Sequence, residues 1–455
     1  MKWNWKDTWH RFKNYCVFKT KIGYLNSIFS SIITALIIFI SLFSNISKTI
    51  LLVLIPILTI NIFNWKYFLI TTLFILLILI SYFIYQKYIF SNIGNINETL
   101  KITKVYKNTT IVSKNGINYL IKKNIENVNS FIEIEGNVKR IENITFFNLN
   151  QNVFLEIQNI KVKQVYVFNT FIQKYISSKR ENIQNYLNLL IFSTKTKNNE
   201  SIYEELKNLN IIHYFVVSGF HFGLIYFSTI FILKKVKLKE EWAELIGLMP
   251  LILYLHLLNF QLSSLRAFLF ILLTYINKKI LNKYFSNIDL LSLTLLMIII
   301  FQPYCIYNYS VIFSFGITLI LLISNNLFKK IKNKYLKVLL IWFTVYISSS
   351  LMSLTINEKI SIFGFAYQML FMPIIPIYYF LSIFFIWWNG LLDLIFSFFN
   401  NFLDLIKDSN YYLLLPNKIF YFPFVFHLLL IYINIWMNNN NYFNFSLKVH
   451  KIQIH

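Results

Sequence analysis

The chain has 455 residues, 56% of them hydrophobic and 19% aromatic, with a mean hydropathy of +0.55. This composition excludes an ordinary soluble globular protein and a disordered one, and points to a chain that lives in a bilayer. Forty-three basic against nineteen acidic residues leave a net charge of +24, which suits a polyanion or an anionic lipid surface without separating the two.

Residues 1–24 carry Lys2, Lys6, Arg11, Lys13, Lys19 and Lys21 against Asp7, and so form a cytoplasmic basic and aromatic tail by the positive-inside rule. No cleavage-like site follows, so a removable signal peptide is not expected. The N-terminal membrane spans are expected over residues 25–90, as apolar runs at 25–43, 49–63 and 67–85; the second is short for a span and, with Pro56, reads as kinked or re-entrant. Cys16 and Cys305 show neither metal-ligand nor disulfide-framework spacing.

Residues 97–166 change character. LKITKVYK, TTIVS, INYLIK, SFIEIEGNV and VFLEIQNIKV alternate as five short strands. Asn115-Gly116 supplies the positive φ of a type I′ hairpin, and Gly136 marks a bulge. Five strands in about seventy residues predict a small OB-like barrel. Its lysines (Lys101, Lys104, Lys107, Lys114, Lys122, Lys123) are placed to track a phosphate backbone, and Tyr106, Tyr119, Phe146 and Phe147 to stack bases. The competing reading is a solvated basic face over an aromatic core.

Residues 167–211 are expected to form an amphipathic connector lying along the membrane, leading into LNIIHYFVVSGFHFGLI at 209–225. Read as one helix, that stretch places His213, Ser218 and His221 within an arc of about 140°, with Gly219 and Gly223 as a close-packing pair on another side. Ionisable groups at membrane depth face a cavity or a partner. The competing reading is histidines bonded to carbonyls beside glycines that only pack. Apolar runs at 212–233, 245–258, 263–280, 288–301, 309–324 and 338–354 follow. Basic loops (234–239, 278–283, 329–337) alternate with nearly uncharged ones (259–262, 302–308). The lysine loops are therefore expected in the cytoplasm and the barrel outside, in a polytopic bundle of about ten spans over residues 25–437.

Ser263-Ser264-Leu265-Arg266 opens a helix, and a serine cap, a positive helix end and an arginine fork together suit an anion. Arg266 as an interfacial snorkelling residue is the alternative. Ser314 and Gly316 lie in the 309–324 run; with Pro373 and Pro376, the run at 360–388 is expected as two half-helices or as a broken helix lining a cavity. Residues 391–406 carry Asp393 and Asp404 on an apolar pattern and read as interfacial, 419–436 as a last span, and 438–455 as an Asn-rich tail. HExxH, P-loop and buried Asp/Glu–His relay patterns are missing, so no cofactor, metal or enzymatic activity is expected.

Four stretches resemble, in order, the ComEC family of competence DNA-uptake channels: His213-Tyr-Phe-Val-Val-Ser218-Gly219-Phe-His221-Phe-Gly223 with its approach LLIFSTKTKNNESIYEELKNLNI; SSLRAFL around Arg266; QPYCIYNYSVIFSFG ending at Gly316; and FGFAYQMLFMPIIPI with Pro373 and Pro376. The resemblance covers residue 93 to about 379. It implies a mostly α, multi-pass cell-membrane protein with a small extracytoplasmic OB-like barrel, passing single-stranded DNA into the cytoplasm. His213, Ser218 and His221 would then line the passage as donors, with Arg266 receiving phosphates. The implied partners are single-stranded DNA, the lipid bilayer, a cytoplasmic helicase or ATPase, an external DNA receptor and further copies of the chain. Many members end in a metallo-β-lactamase-like domain; the sequence has no HxHxDH run, so a short form is expected. The rival functions are an intramembrane hydrolase using Ser218 with His213 or His221, and a transporter of lipid or small anions.

Overall fold

The computed structural model describes residues 65–414 apart from 107, 126–129, 167–170, 197, 355–358 and 408–410, together with Ile32. The chain divides into two units, Met1–Leu77 with Leu428–His455, and Ile78–His427; apart from the first half of α1, the architecture below belongs to the second. Apart from Ile32, the expected spans at 25–43, 49–63 and 419–436, the two tails and Lys107 lie outside the described residues.

Helix α1 (Trp65–Phe90) delivers the chain to a closed five-stranded barrel: β1 (Gly94–Val105), β2 (Thr110–Lys114), β3 (Ile117–Ile121), β4 (Phe131–Arg140) and β5 (Val153–Tyr166), with the short helix α2 (Phe146–Gln151) before β5. The strand order β1-β2-β3-β5-β4, closed by β1 against β4 and parallel only between β3 and β5, is that of an OB barrel. All five expected strands are present. Asn115 and Gly116 turn with φ of 50° and 80°, as the hairpin requires. The β4–β5 register slips between Glu135 and Asn137, and a Cβ on Gly136 would lie 2.8 Å from Ile157 Cγ2, so glycine is needed where the strands close up. Leu100, Ile102, Val112, Ile121, Ile132, Ile134 and Leu155 fill the interior.

Helices α3 (Phe171–Ser177), α4 (Glu181–Leu187), a π turn at Asn188–Phe192, α5 (Glu200–Asn208) and α6 (Ile212–Phe215) form the connector. It is far more embedded than its polarity implied: Ile183, Tyr186, Leu187, Leu189 and Leu190 are fully buried. Tyr186 stacks on Phe396 of the amphipathic helix α15 (Asn389–Lys407), whose Leu392, Phe396, Phe399 and Leu403 form one buried stripe. Between connector and α15 the chain runs through α7 (Gly219–Lys235), α8 (Glu240–Ile246), α9 (Leu248–Leu257), α10 (Leu262–Lys279), α11 (Asn287–Phe301), α12 (Tyr309–Leu327), α13 (Lys334–Ser353) and α14 (Gly364–Phe384). A two-stranded ribbon, β6 (Lys359–Ser361) with β7 (Tyr412–Leu414), flanks α14 and α15.

Four described helices are long and apolar enough to cross a membrane, at Leu69–Phe90, Tyr309–Lys330, Lys334–Ser353 and Gly364–Phe384. The apolar run at 245–258 yields only the ten-residue α9, about 15 Å long and half a bilayer. Pro373 and Pro376 do not break α14, contrary to the expected half-helices. Phe371, Ile375 and Tyr379 bury a continuous stripe along it, and that packing offsets the backbone bonds the prolines remove.

The barrel sits on one end of the bundle. Tyr304, in the turn between α11 and α12, inserts against Phe154 with ring centroids 4.3 Å apart and bonds to Gln86 of α1. Asn150 receives bonds from the Asn308 side chain and the Tyr309 amide at 2.8 and 3.0 Å. Lys101 reaches Asn259 in the turn before α10. The opposite ends of α10 and α12 carry Lys278, Lys279, Lys329 and Lys330. Lys278 and Lys279 join Glu240, Glu241 and Glu244 of α8 in an ion-pair network there.

Candidate functional site

The central stretch is not one helix. After α6 the backbone is extended at Val216 (φ −76°, ψ 133°) and Ser218 (φ −135°, ψ 177°), and α7 starts afresh at Gly219. The single polar arc expected for His213, Ser218 and His221 is therefore replaced by a helix start. Ser218 is the cap: its Oγ accepts from the Phe220 amide at 3.3 Å. His221 takes the place of the glutamate of a capping box, its Nδ1 accepting from the Ser218 amide at 3.2 Å. The Val217 amide donates to Ser193 Oγ at 2.9 Å, which anchors the extended link to the end of the π turn. His213 lies exposed on the separate helix α6, its ring 4.1 Å from that of Tyr214.

This geometry dictates a tautomer. A backbone amide only donates, so Nδ1 of His221 is an acceptor and the neutral ring carries its proton on Nε2. Ser218 Oγ lies 3.4 Å from that same Nδ1, whose lone pair is already engaged by the amide. The pair is thus arranged to begin a helix, and its geometry speaks against a serine nucleophile activated by His221. The His221 ring is fully buried, edge-on to Tyr379 of α14 at 4.8 Å, and its Nε2 has no partner among the described residues.

Gly219 and Gly223 have different surroundings. A Cβ at Gly219 would lie 2.7 Å from Arg266 Nη2, so the guanidinium of α10 occupies the space that glycine vacates. A Cβ at Gly223 would meet only Phe227 of its own helix at 3.9 Å, and the expected close-packing pair reduces to one member. Arg266 does not snorkel to an interface: it is 7% exposed and turned inward. Its Nη1 donates to Thr318 Oγ1 of α12 at 2.7 Å, and that hydroxyl in turn donates to the Ser314 carbonyl at 2.7 Å. The Phe315 ring lies 6.0 Å from the guanidinium carbon. Ser264 is not a helix cap, because α10 begins at Leu262; its buried hydroxyl instead donates to the Gln261 carbonyl at 2.7 Å. Gly316 admits Met352 of α13, whose Cε would lie 2.9 Å from an added Cβ.

The helices that carry the four separated stretches thus meet at the start of α7, the last two through residues just beyond the stretches themselves. Gly219 receives Arg266, Arg266 reaches Thr318 above Ser314, and His221 packs on Tyr379, one turn beyond Pro376. Pro373 and Pro376 themselves hold no partner role at this point; Pro373 is exposed. Thr318 and Tyr379 escaped the sequence reading. The available signal for Thr318 was its position four residues after Ser314, where a helical hydroxyl bonds back to the chain. Tyr379 offered only a phenol inside an apolar run.

The barrel lysines are not a free row. Lys101 is committed to Asn259, Lys104 to Gln151 at 2.6 Å, Lys114 to Glu98, and Lys122 to Glu156 at 2.7 Å; Lys123 is exposed. Burial pushes the Lys101 and Lys104 ammonium groups below the ordinary lysine range, and the Lys122 bond holds the Glu156 carboxyl below its own. Tyr119 is a core residue at 3% exposure, whereas Tyr106 packs on Phe147 and Phe146 on Tyr309. Of the four aromatics expected to stack bases, Tyr119 fills the barrel, whereas Phe146 and Phe147 stay exposed while touching Tyr309 and Tyr106. Among the described residues no group of three or more His, Cys, Asp or Glu is placed to hold a metal ion.

A family model described as competence protein matches residues 190–438, more than half of the 455-residue chain and the whole of the converging site. The chain belongs to the competence protein family. It is 34% identical over 223 residues to an uncharacterized protein of Mycoplasma genitalium, covering 49% of this chain and 56% of that one. It is 31% identical over 202 residues to the homolog in Mycoplasma pneumoniae, covering 43% and 49%. The chain thus spans about half the length of the curated relatives it matches. No solved structure matches. Within the competence region, Gly219, Arg266, Thr318 and Tyr379 come from four different helices, so the family match covers a tertiary site as well as a run of spans.

Proposed function

We propose that this competence family member passes single-stranded DNA across the cytoplasmic membrane during DNA uptake. The observation that carries the reading is the buried arginine: Arg266, 7% exposed among apolar helices, is directed at the start of α7 and held by Thr318. Cations at membrane depth are costly and mark pathways for charged cargo. Family membership and four membrane-capable helices support the same reading. In it the barrel is external, since it caps the helix ends opposite Lys278, Lys279, Lys329 and Lys330, and lysine-rich ends stay in the cytoplasm. The barrel positions the mouth of the passage, while the Arg266 region receives the strand. A cytoplasmic ATPase partner supplies the work, and an external receptor the DNA.

The test is uptake of labelled DNA by a strain lacking this protein. Complementation with the wild type restores uptake, and Arg266→Gln at equal protein level does not. Unchanged uptake in the deletion strain would refute the function, and full activity of Arg266→Gln would remove the arginine from the passage.

A further inference from the structure

Arg266 is an unusual buried cation. It forms no ion pair among the described residues: the Thr318 hydroxyl takes Nη1, and Nε is buried without a partner. The Thr318 proton is committed to the Ser314 carbonyl, so the threonine offers lone pairs and no charge. Removing a cation from water without a counter-ion costs several kcal/mol. The guanidinium also lies against the first residue of a 17-residue helix, where the peptide dipoles present their positive end and repel it. At the same helix start the His221 Nε2–H is a second buried donor without an acceptor. An oxyanion bound there would give Arg266 its missing counter-ion and sit favourably at the positive end of the helix.

We propose that the start of α7, with Arg266 lying over Gly219, is a binding site for one phosphodiester group. A guanidinium edge matches two oxygens of a tetrahedral oxyanion, which favours phosphate chemistry over chloride. One unpaired arginine balances one negative charge, which favours a diester over inorganic phosphate. The Phe315 ring beside the guanidinium is an apolar neighbour suited to the organic substituents that a diester carries. Gly219 lets the guanidinium reach the helix start, since any side chain there would displace it. The proposal rests on the uptake reading only for the source of the diester, a DNA strand rather than a lipid head group.

The test uses the full chain in a maltoside detergent, which contains no phosphate, and follows the thermal midpoint of the helical circular-dichroism signal. Dimethyl phosphate, the smallest phosphodiester, should raise the midpoint saturably, because a ligand that binds only the folded state stabilises it. Sodium chloride at equal ionic strength should not. Arg266→Gln should weaken the response roughly tenfold or more, and Arg266→Lys should recover part of it. Thr318→Val, which keeps the arginine, should weaken it less, and this variant decides the matter if Arg266→Gln does not fold. No shift in the wild type, an equal shift with chloride, or an undiminished response in the variants would overturn the site. Competition by oligodeoxythymidine then supports the strand as the source. Competition by phosphatidylglycerol alone would leave the phosphodiester site standing and overturn DNA as its ligand, separating this proposal from the uptake reading.

Discussion

Gly219→Ala separates a tertiary role for the motif glycine from a local one. The new Cβ would sit 2.7 Å from Arg266 Nη2, inside the 3.4 Å at which ordinary contact begins, so the guanidinium must retreat about 0.7 Å. We expect that retreat to disturb the 2.7 Å bond from Arg266 Nη1 to Thr318 Oγ1. Loss of a bond to a charged donor costs about 1.5–3 kcal/mol, against about 0.5–1 kcal/mol gained from alanine's helix propensity. The expected net effect is a loss of about 0.5–2.5 kcal/mol. Gly223→Ala is the internal control. Its Cβ would meet only Phe227 at 3.9 Å, so propensity alone should act and the variant should be neutral or slightly stabilised. Equilibrium unfolding of the full chain in mixed detergent and dodecyl sulfate reads both. A cycle with Thr318→Val isolates the coupling, because the glycine change should cost less once the hydroxyl is gone. Equal effects at the two glycines, or strict additivity with Thr318→Val, would refute the proposed contact.

Further outcomes follow from the barrel and its seat. Lys122→Met should weaken the β3–β5 edge at neutral pH: the Lys122 bond lowers the folded Glu156 pKa, so its stabilisation is present above the ordinary value of 4.5 and disappears as pH falls through the lowered one. Hydrogen exchange of the β5 amides checks this, and a difference from wild type that does not shrink as the pH is taken progressively below 4.5 would contradict it. Tyr304→Ala removes the ring packed on Phe154, a loss of about 3–5 kcal/mol, and should free the barrel for proteolysis while the helices stay protected. An unchanged digestion pattern would show that Asn150 and Lys101 suffice to seat it. Single cysteines at Lys123 and Lys283 should label from opposite sides of intact cells, since barrel and lysine loops cap opposite helix ends. Labelling of both from one side would overturn the topology.

Local physics alone determined much of this protein. Period-two alternation, Asn115-Gly116 and Gly136 specified the barrel down to its hairpin and bulge, because strand patterning and positive φ are properties of a few neighbouring residues. Apolar runs and lysine loops likewise marked the bundle and its two ends. The central motif was legible as important but not in its shape. Helical periodicity placed His213, Ser218 and His221 on one face, whereas a serine followed three residues later by a side-chain acceptor can also start a helix, and the buried capping box won. Polarity suggested a connector on the membrane surface, but Tyr186 and its neighbours are buried by α15, a partner two hundred residues away in sequence. Only the tertiary structure could reveal that Arg266 lies over Gly219, that Thr318 holds it, and that Tyr379 covers His221. Those contacts join helices far apart in the chain, and no local pattern encodes which side chain fills the space a distant glycine leaves open.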